Sequence, residues 1–528
     1  MQSTQNKRSY LNATVGITAV IICLGFTYLG QSFTAYNDLN DSDSSYFVYG
    51  GMIINKGLSL YADFFDQKPP AIFYQNAILL KFFGHNFKAF ALAQGLAVLL
   101  LHAVLYASLV RIMPKLWVML LCVLFCYAFN LNNYGDFGNR PEFSVAFFEC
   151  LAFCAGLQFL RAKGSLYLIL MGALSASAFF YKPIGMASFL AMFALLMSQM
   201  IVKPSGSKSS LRKILFDVGS LCLGFLSVVL LVSLYFASKG LANDLWQATI
   251  FLPLSLSGTS KRTYLEAVVA MYYAYGPLWG ALWPMLLLPF LLFKTAMNAI
   301  EKQLILLIFL FTAATLCGVV LQKMGHPHYY HTGVGPLVLL SVFSLFLFLK
   351  YIVSAEKVKA LVVVVFILSS LYTGRWPMMR QIRYYKNIKS AREDLSYYQD
   401  LADWLKRDLK KGEKIYYWSH GYIPYILSDL VSPGLYTPQY LKMGDRGAEI
   451  LSEDLQRFKD FPQNTESIKY IIEHKYCLAE FFCEGKYENQ KSRDVFAVYQ
   501  SWRDANYGKI ELPELPEFNI YKSLPPVQ

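Results

Sequence analysis

"PPAIFYQNAILLKFFG", residues 69–84, decides how the rest of the chain is read. Crossing a hydrocarbon core of about 30 Å takes about 20 apolar residues in a helix. This stretch is shorter and is interrupted by Gln75, Asn76 and Lys81. It therefore reads as an interfacial helix, lying on a membrane rather than through it. Counted as a span, it would invert every later loop.

The remainder is strongly apolar. Of 528 residues, 55% are hydrophobic and 16% charged, and mean hydropathy is +0.36; a soluble domain would carry about 25% charged residues. Eleven stretches read as spans, near 13–32, 88–110, 116–131, 142–160, 165–181, 184–202, 215–237, 275–293, 303–321, 331–349 and 358–374. Lys7 and Arg8 precede the first, as in a signal peptide, but the apolar stretch is long and no small-residue cleavage site follows. It reads as a retained anchor.

With the N-terminus in the cytoplasm, five cytoplasmic turns are basic. They carry Arg111 and Lys115; Arg161 and Lys163; Lys203, Lys208, Arg212 and Lys213; Lys294 and Lys302; and Lys350, Lys357 and Lys359. That is the positive-inside pattern, and it accounts for most of the net charge of +13 without nucleic acid. Residues 33–87 then form one large outer loop. Seven of the nine cysteines lie in apolar spans as packing residues, whereas Cys477 and Cys483 lie in the polar C-terminal part and are close enough in sequence to pair if that part is extracytoplasmic.

From about Arg375 the composition becomes that of a soluble domain. "KIYYW" (414–418) and "SIKYIIE" (467–473) read as strands, "GYIPYILSDL" as a short helix, and the stretch ended by Gly412 as an amphipathic helix. The expected domains are 1–374, transmembrane and catalytic, and 375–528, an outer α/β domain. No internal repeat is visible.

Ionisable residues gather on the predicted outer face. The first loop holds Asp41, Asp43, Asp63, Asp66 and Lys68; later turns add Asp136, Arg140, Glu142, Lys182, His326, His328, Tyr329 and Tyr330. Such residues at a membrane boundary are costly and tend to be functional. A carboxylate among several cations suits displacement of a lipid phosphate: the base activates a hydroxyl and the cations stabilise the departing phosphate. Each residue also has a plainer reading. Asp41 and Asp43 suit a helix cap, Lys68 a solvated turn, and Lys182 snorkelling at a span end. Arg140 and Glu142 suit a mutual pair. The histidines of "GHPHYYH" (325–331) lack clear metal-ligand spacing, so no metal or other cofactor is expected.

The segment "DSSYFVYGGMIINKGLSLYADFFDQKPP" (43–70) resembles the first outer loop of GT-C glycosyltransferases, in the branch of protein O-mannosyltransferases and lipid A aminoarabinose transferases. "RPEFSVAFF" (140–148), "FFYKP" (179–183), "GHPHYYHTGVGPLVLL" (325–340) and "KIYYWSHGYIPYILSD" (414–429) extend the similarity along nearly the whole chain. The resemblance implies a helical polytopic membrane protein of GT-C fold, with about eleven transmembrane helices and a C-terminal extracytoplasmic α/β domain. It implies Asp43 as catalytic base with Asp41 as supporting acid, and Lys68 as a contact to the donor phosphate. Lys182, His328 and Tyr329 fall at donor-pocket positions, with Asp66, Arg140, Glu142 and His326 as further candidates. The sequence departs from the family in two places. Ser44 follows Asp43 where members often have Glu, and Gln67 stands where some carry an acid able to bind metal.

The expected partners are a polyprenyl-phosphate sugar, an envelope acceptor and the lipid bilayer, in a bacterial inner membrane. Two alternatives stay open: a lipid-linked glycan flippase, which calls for charges in mid-span and paired broken helices, and an inactive envelope scaffold.

Overall fold

The computed structural model describes residues 16–28, 42–131, 139–202, 208–258, 262–292, 297–323, 326–386, 396–418, 421–434, 448–449, 451–452, 455–456, 468–474 and 490–524. Asp41, Asp136, Cys477 and Cys483 lie outside the described residues. The chain divides into two compact units. One comprises residues 1–35, 68–72 and 87–386; the other comprises 36–67, 73–86 and 387–528.

The first unit is a helical bundle of membrane-spanning character. Among the described residues seven helices are long and apolar enough to cross a membrane, or eight if one bent pair counts as a span. The expected eleven is not reached, for local reasons. Lys115–Phe129 and Ser165–Phe179 have 15 residues each, about 22 Å at the α-helical rise. Pro114 precedes the first, and the turn before Pro183 ends the second. The span expected at 275–293 is part of a bent pair, Tyr264–Ala274 and Gly276–Leu291, at 45°. Pro277 and Pro284 each open a 3-10 turn there, because proline interrupts the helical hydrogen-bond ladder. The 69–84 stretch forms the helix Ala71–Phe83, 13 residues long.

His331–Tyr351 is the centre of the bundle. Its sequence is apolar on all faces, as suits a helix surrounded by others, and 94% of its most apolar stretch is buried, against 11% for Glu356–Arg380. Pro336 lies inside it, and Thr312 Oγ1 of the Ala299–Leu321 helix donates to the Pro336 carbonyl at 3.2 Å. The helices Ser165–Phe179 and Lys208–Ser238 approach through a reciprocal glycine contact. A Cβ on Gly172 would collide with the Leu221 carbonyl oxygen, and one on Gly224 with that of Ile169. Small residues admit such close backbone packing in a membrane, where no hydrophobic effect drives helices together.

The second unit is the α/β domain. Its sheet runs in the order β1-β2-β4-β3, with β1 (Lys414–Trp418) parallel to β2 (Ile468–His474). The strand β4 (Phe518–Ser523) is antiparallel to both β2 and β3 (Tyr507–Ile510). The two strands read from sequence are β1 and β2. On one face Trp418 stacks on Tyr499 at 3.5 Å within a core that includes Ile471 and Phe496. The edge of β1 is closed by Tyr425, whose hydroxyl accepts from Tyr417 N–H (2.9 Å) and donates to the Ile415 carbonyl (3.2 Å); that satisfies an edge otherwise open to pairing.

Gly172→Ala is expected to destabilise the bundle by about 1–3 kcal/mol, the usual cost of overpacking. Gly219→Ala, with nothing near its Cβ, is the control. Thermal unfolding in detergent reads the difference; equal midpoints would refute the close approach.

Candidate active site

The expected cations meet in the first unit. Lys182 occupies the short turn between the Ser165–Phe179 helix and a 3-10 turn, Pro183–Met186. Its own N–H donates to the Ala178 carbonyl at 3.1 Å, and its carbonyl accepts from Gly185 N–H at 2.8 Å. Glu142 lies in the first turn of Pro141–Ala162, behind Arg140 as N-cap and Pro141, where the helix dipole favours a carboxylate. Lys182 Nζ and Glu142 Oε1 are 2.6 Å apart, and both residues are buried.

The same ammonium sits 3.4 Å from the centroid of the Tyr329 ring, a cation–π contact strengthened by desolvation. Tyr329 belongs to the 3-10 turn Pro327–Tyr330. The His328 and Tyr329 rings are 4.6 Å apart, and His326 stacks against His328 at 5.7 Å. Lys68 reaches the cluster because the chain is pinned just beyond it, Ala71 N–H donating to the Phe180 carbonyl at 3.0 Å. Lys68 and Arg140 act electrostatically on Lys182, and Arg140 and His328 on Glu142. Lys68, Arg140, Glu142, Lys182, His326, His328 and Tyr329 thus form one cation-rich cradle.

Two plainer readings give way. Lys182 is directed inward and paired rather than snorkelling, and the ion pair of Glu142 is with Lys182, with Arg140 an additional influence. Burial is the largest influence on Lys182 and draws its ammonium down to about 8. The Glu142 carboxylate opposes this, and Lys68 and Arg140 reinforce it.

Two supports were not singled out in the sequence. Glu149 Oε2 accepts from Ser188 N–H at 2.6 Å, at the start of Ala187–Val202, and so fixes the far end of the Lys182 turn. His331 Nε2 lies 2.9 Å from the Phe129 carbonyl, at the head of the central helix. An acid inside the apolar run "SVAFFECLAFC" was the available signal for Glu149.

The acids of the first loop lie in the second unit. Asp43 is in the first turn of the helix Ser42–Asn55 and is half-buried; Asp66 is buried. Asp63 has a local duty, its Oδ2 accepting from Ser59 N–H at 2.7 Å. Between them Tyr61 adopts φ 75°, a left-handed conformation that bulky residues rarely hold and that marks stored strain. Among the described residues no three His, Cys, Asp or Glu side chains group as metal ligands would.

A buried cradle of this kind suits a phosphate ester, whose negative charge pairs with cations withdrawn from water. Lysine is cationic below its pKa, so the site's affinity for an alkyl phosphate is expected to fall as pH rises through about 8. Lys182→Arg, cationic throughout, should flatten that fall. A flat wild-type titration from about pH 7 to about 9.5 would contradict the depressed lysine.

No protein-family model matches the chain, and no curated protein matches it in sequence. Solved structures do match. ArnT from Cupriavidus metallidurans bound to undecaprenyl phosphate aligns with a TM-score of 0.59 at 12% identity, over 96% of this chain and 97% of that one. The same protein in the apo state aligns with a TM-score of 0.58 at 11% identity, over 98% of each chain. Identities this low speak for the fold. The chain shares the fold of these ArnT structures over nearly its whole length.

Proposed function

We propose that this chain is a membrane glycosyltransferase that takes a sugar from a polyprenyl-phosphate donor and places it on an envelope acceptor at the outer face. The observation that carries the reading is the cradle of Lys68, Arg140 and Lys182 about the buried Glu142, in a chain with the fold of a structure bound to undecaprenyl phosphate.

In this reading the cations bind the donor phosphate, and Tyr329 and His328 line the pocket beside it. Asp43 removes the proton of the acceptor hydroxyl, aided by Asp41. The acceptor oxygen then attacks the anomeric carbon, and the bond from that carbon to the phosphate oxygen breaks. The electron pair leaves with the polyprenyl phosphate, whose growing charge the cradle stabilises. A single displacement inverts the anomeric centre. Asp66 and His326 remain further candidates for contacts to sugar or acceptor. The acceptor is a hydroxyl or phosphate of a lipid, glycan or protein, the membrane a bacterial inner membrane, and the α/β domain extracytoplasmic.

The test uses purified protein in lipid, labelled polyprenyl-phosphate sugars and mixed envelope acceptors. Asp43→Asn is expected to slow transfer by about 10²–10⁴-fold, the usual contribution of a general base, with donor binding retained. Equal transfer by variant and wild type would remove Asp43 as base. Movement of labelled lipid across the bilayer by wild type, without transfer, would favour a transporter.

A further inference from the structure

The helix Ser42–Asn55, which carries Asp43, is buried on every side from Ser44 to Ile53. Ser44, Ser45, Tyr46, Phe47, Val48 and Tyr49 are six consecutive residues, none more than 2% exposed. A helix at a loop's start would ordinarily keep one face in solvent. Part of its cover is near in sequence, from Phe64, Phe73 and Asn76; the rest lies more than 370 residues away along the chain.

Tyr49 stacks flat on Tyr422, with centroids 4.0 Å apart and planes 1° from parallel. Tyr46 and Phe64 meet the same ring edge-on at 5.0 and 5.5 Å. Two hydrogen bonds fix the register: Tyr422 N–H donates to Ser45 Oγ at 3.0 Å, and Ser432 N–H donates to Tyr49 Oη at 2.7 Å. At the far end Lys56 pairs with Asp429 at 2.8 Å. The helix Ile423–Ser428 that follows Tyr422 is itself fastened to the sheet through the Tyr425 hydroxyl on β1. A continuous path of packed rings and bonds thus runs from the sheet to Ser45, two residues from Asp43.

We propose that the C-terminal α/β domain is a positioning part of the catalytic apparatus, and that Tyr422, through Ser45 and Tyr49, sets the place of the base. This rests on the reading of Asp43 as base. It assigns the domain a duty in the reaction itself, and it makes the first loop a fixed arm of that domain rather than a free lid. Moving the arm breaks two buried hydrogen bonds and an aromatic stack, and each unmet polar group then carries a desolvation cost.

The experiment uses the full chain in lipid nanodiscs with the donor that wild type accepts. Tyr422→Leu removes the stack, Tyr49→Phe removes only the bond from Ser432, and Tyr422→Phe keeps the ring. Displacements of about 1 Å at a reacting group cost about 100-fold. Tyr422→Leu should therefore lower kcat by at least about tenfold with donor KM nearly unchanged, and speed hydrogen exchange of the 42–55 amides. Tyr49→Phe should do the same to a smaller degree, and Tyr422→Phe should restore kcat. A kcat at the wild-type level in both Tyr422→Leu and Tyr49→Phe, with Asp43→Asn inactive, would overturn this inference alone. Full transfer by Asp43→Asn with Tyr422→Leu slow would instead remove the base and leave the domain's hold on the loop standing. A parallel rise in KM with kcat preserved would assign Tyr422 to binding and overturn the positioning role.

Discussion

The ion pair between Lys182 and Glu142 is the constraint on which the first unit depends. Two charges 2.6 Å apart and withdrawn from water carry a desolvation cost of several kcal/mol each, which their attraction offsets only with good geometry and further partners. The surroundings supply these. Glu142 stands at a helix N-terminus, the Tyr329 ring receives the ammonium, and Arg140 and His328 act on the carboxylate. Because breaking such a pair is expensive, the start of Pro141–Ala162, the Lys182 turn and the Pro327–Tyr330 turn are tied to one point. Glu149 secures the end of that turn from within the bundle. A core designed for stability alone would dispense with buried charge, so this buried pair marks a candidate functional position.

The second unit solves a different problem. A half-buried acid on a loop has no apolar span to anchor it, and the helix that carries it is too short to be stable by itself. Packing of Tyr46, Tyr49 and Phe64 around Tyr422 supplies the missing enthalpy, and the Ser45 and Ser432 bonds supply the register. The chain crosses between units at Gln67–Lys68 and again at Ile72–Phe73. The Lys-Pro-Pro stretch therefore belongs with the cations, although Asp63 and Asp66 just before it in sequence belong with the α/β domain.

Much of this was legible in the sequence, and the exceptions have physical causes. Long apolar runs such as 303–321 and 331–349 became spans because length and hydropathy alone determine them. Those at 116–131 and 165–181 fell short because Pro114 and Pro183 set their limits, and the one at 275–293 bent at its prolines. The cation cradle was legible as a set of residue types at one face and as a family resemblance, but the partner of Glu142 was not: neighbours in sequence suggested Arg140, and the fold delivered Lys182. The union of Tyr49 with Tyr422 left no signal at all, since aromatic residues are abundant here and the contact spans most of the chain. The last two strands were missed because "YGKI" and "FNIYKS" are short and only partly apolar, and they pair with each other and with β2 only once the domain has formed.

The central claim is that the buried pair and its neighbouring cations form the phosphate site. The most direct measurement is an electron cryo-microscopy structure in nanodiscs containing undecaprenyl phosphate. The account predicts phosphate density about 3 Å from Lys182 Nζ, the length of a charge-assisted hydrogen bond, with Lys68 or Arg140 also in contact. Phosphate bound elsewhere, with Lys182 and Glu142 closed against it, would contradict the account.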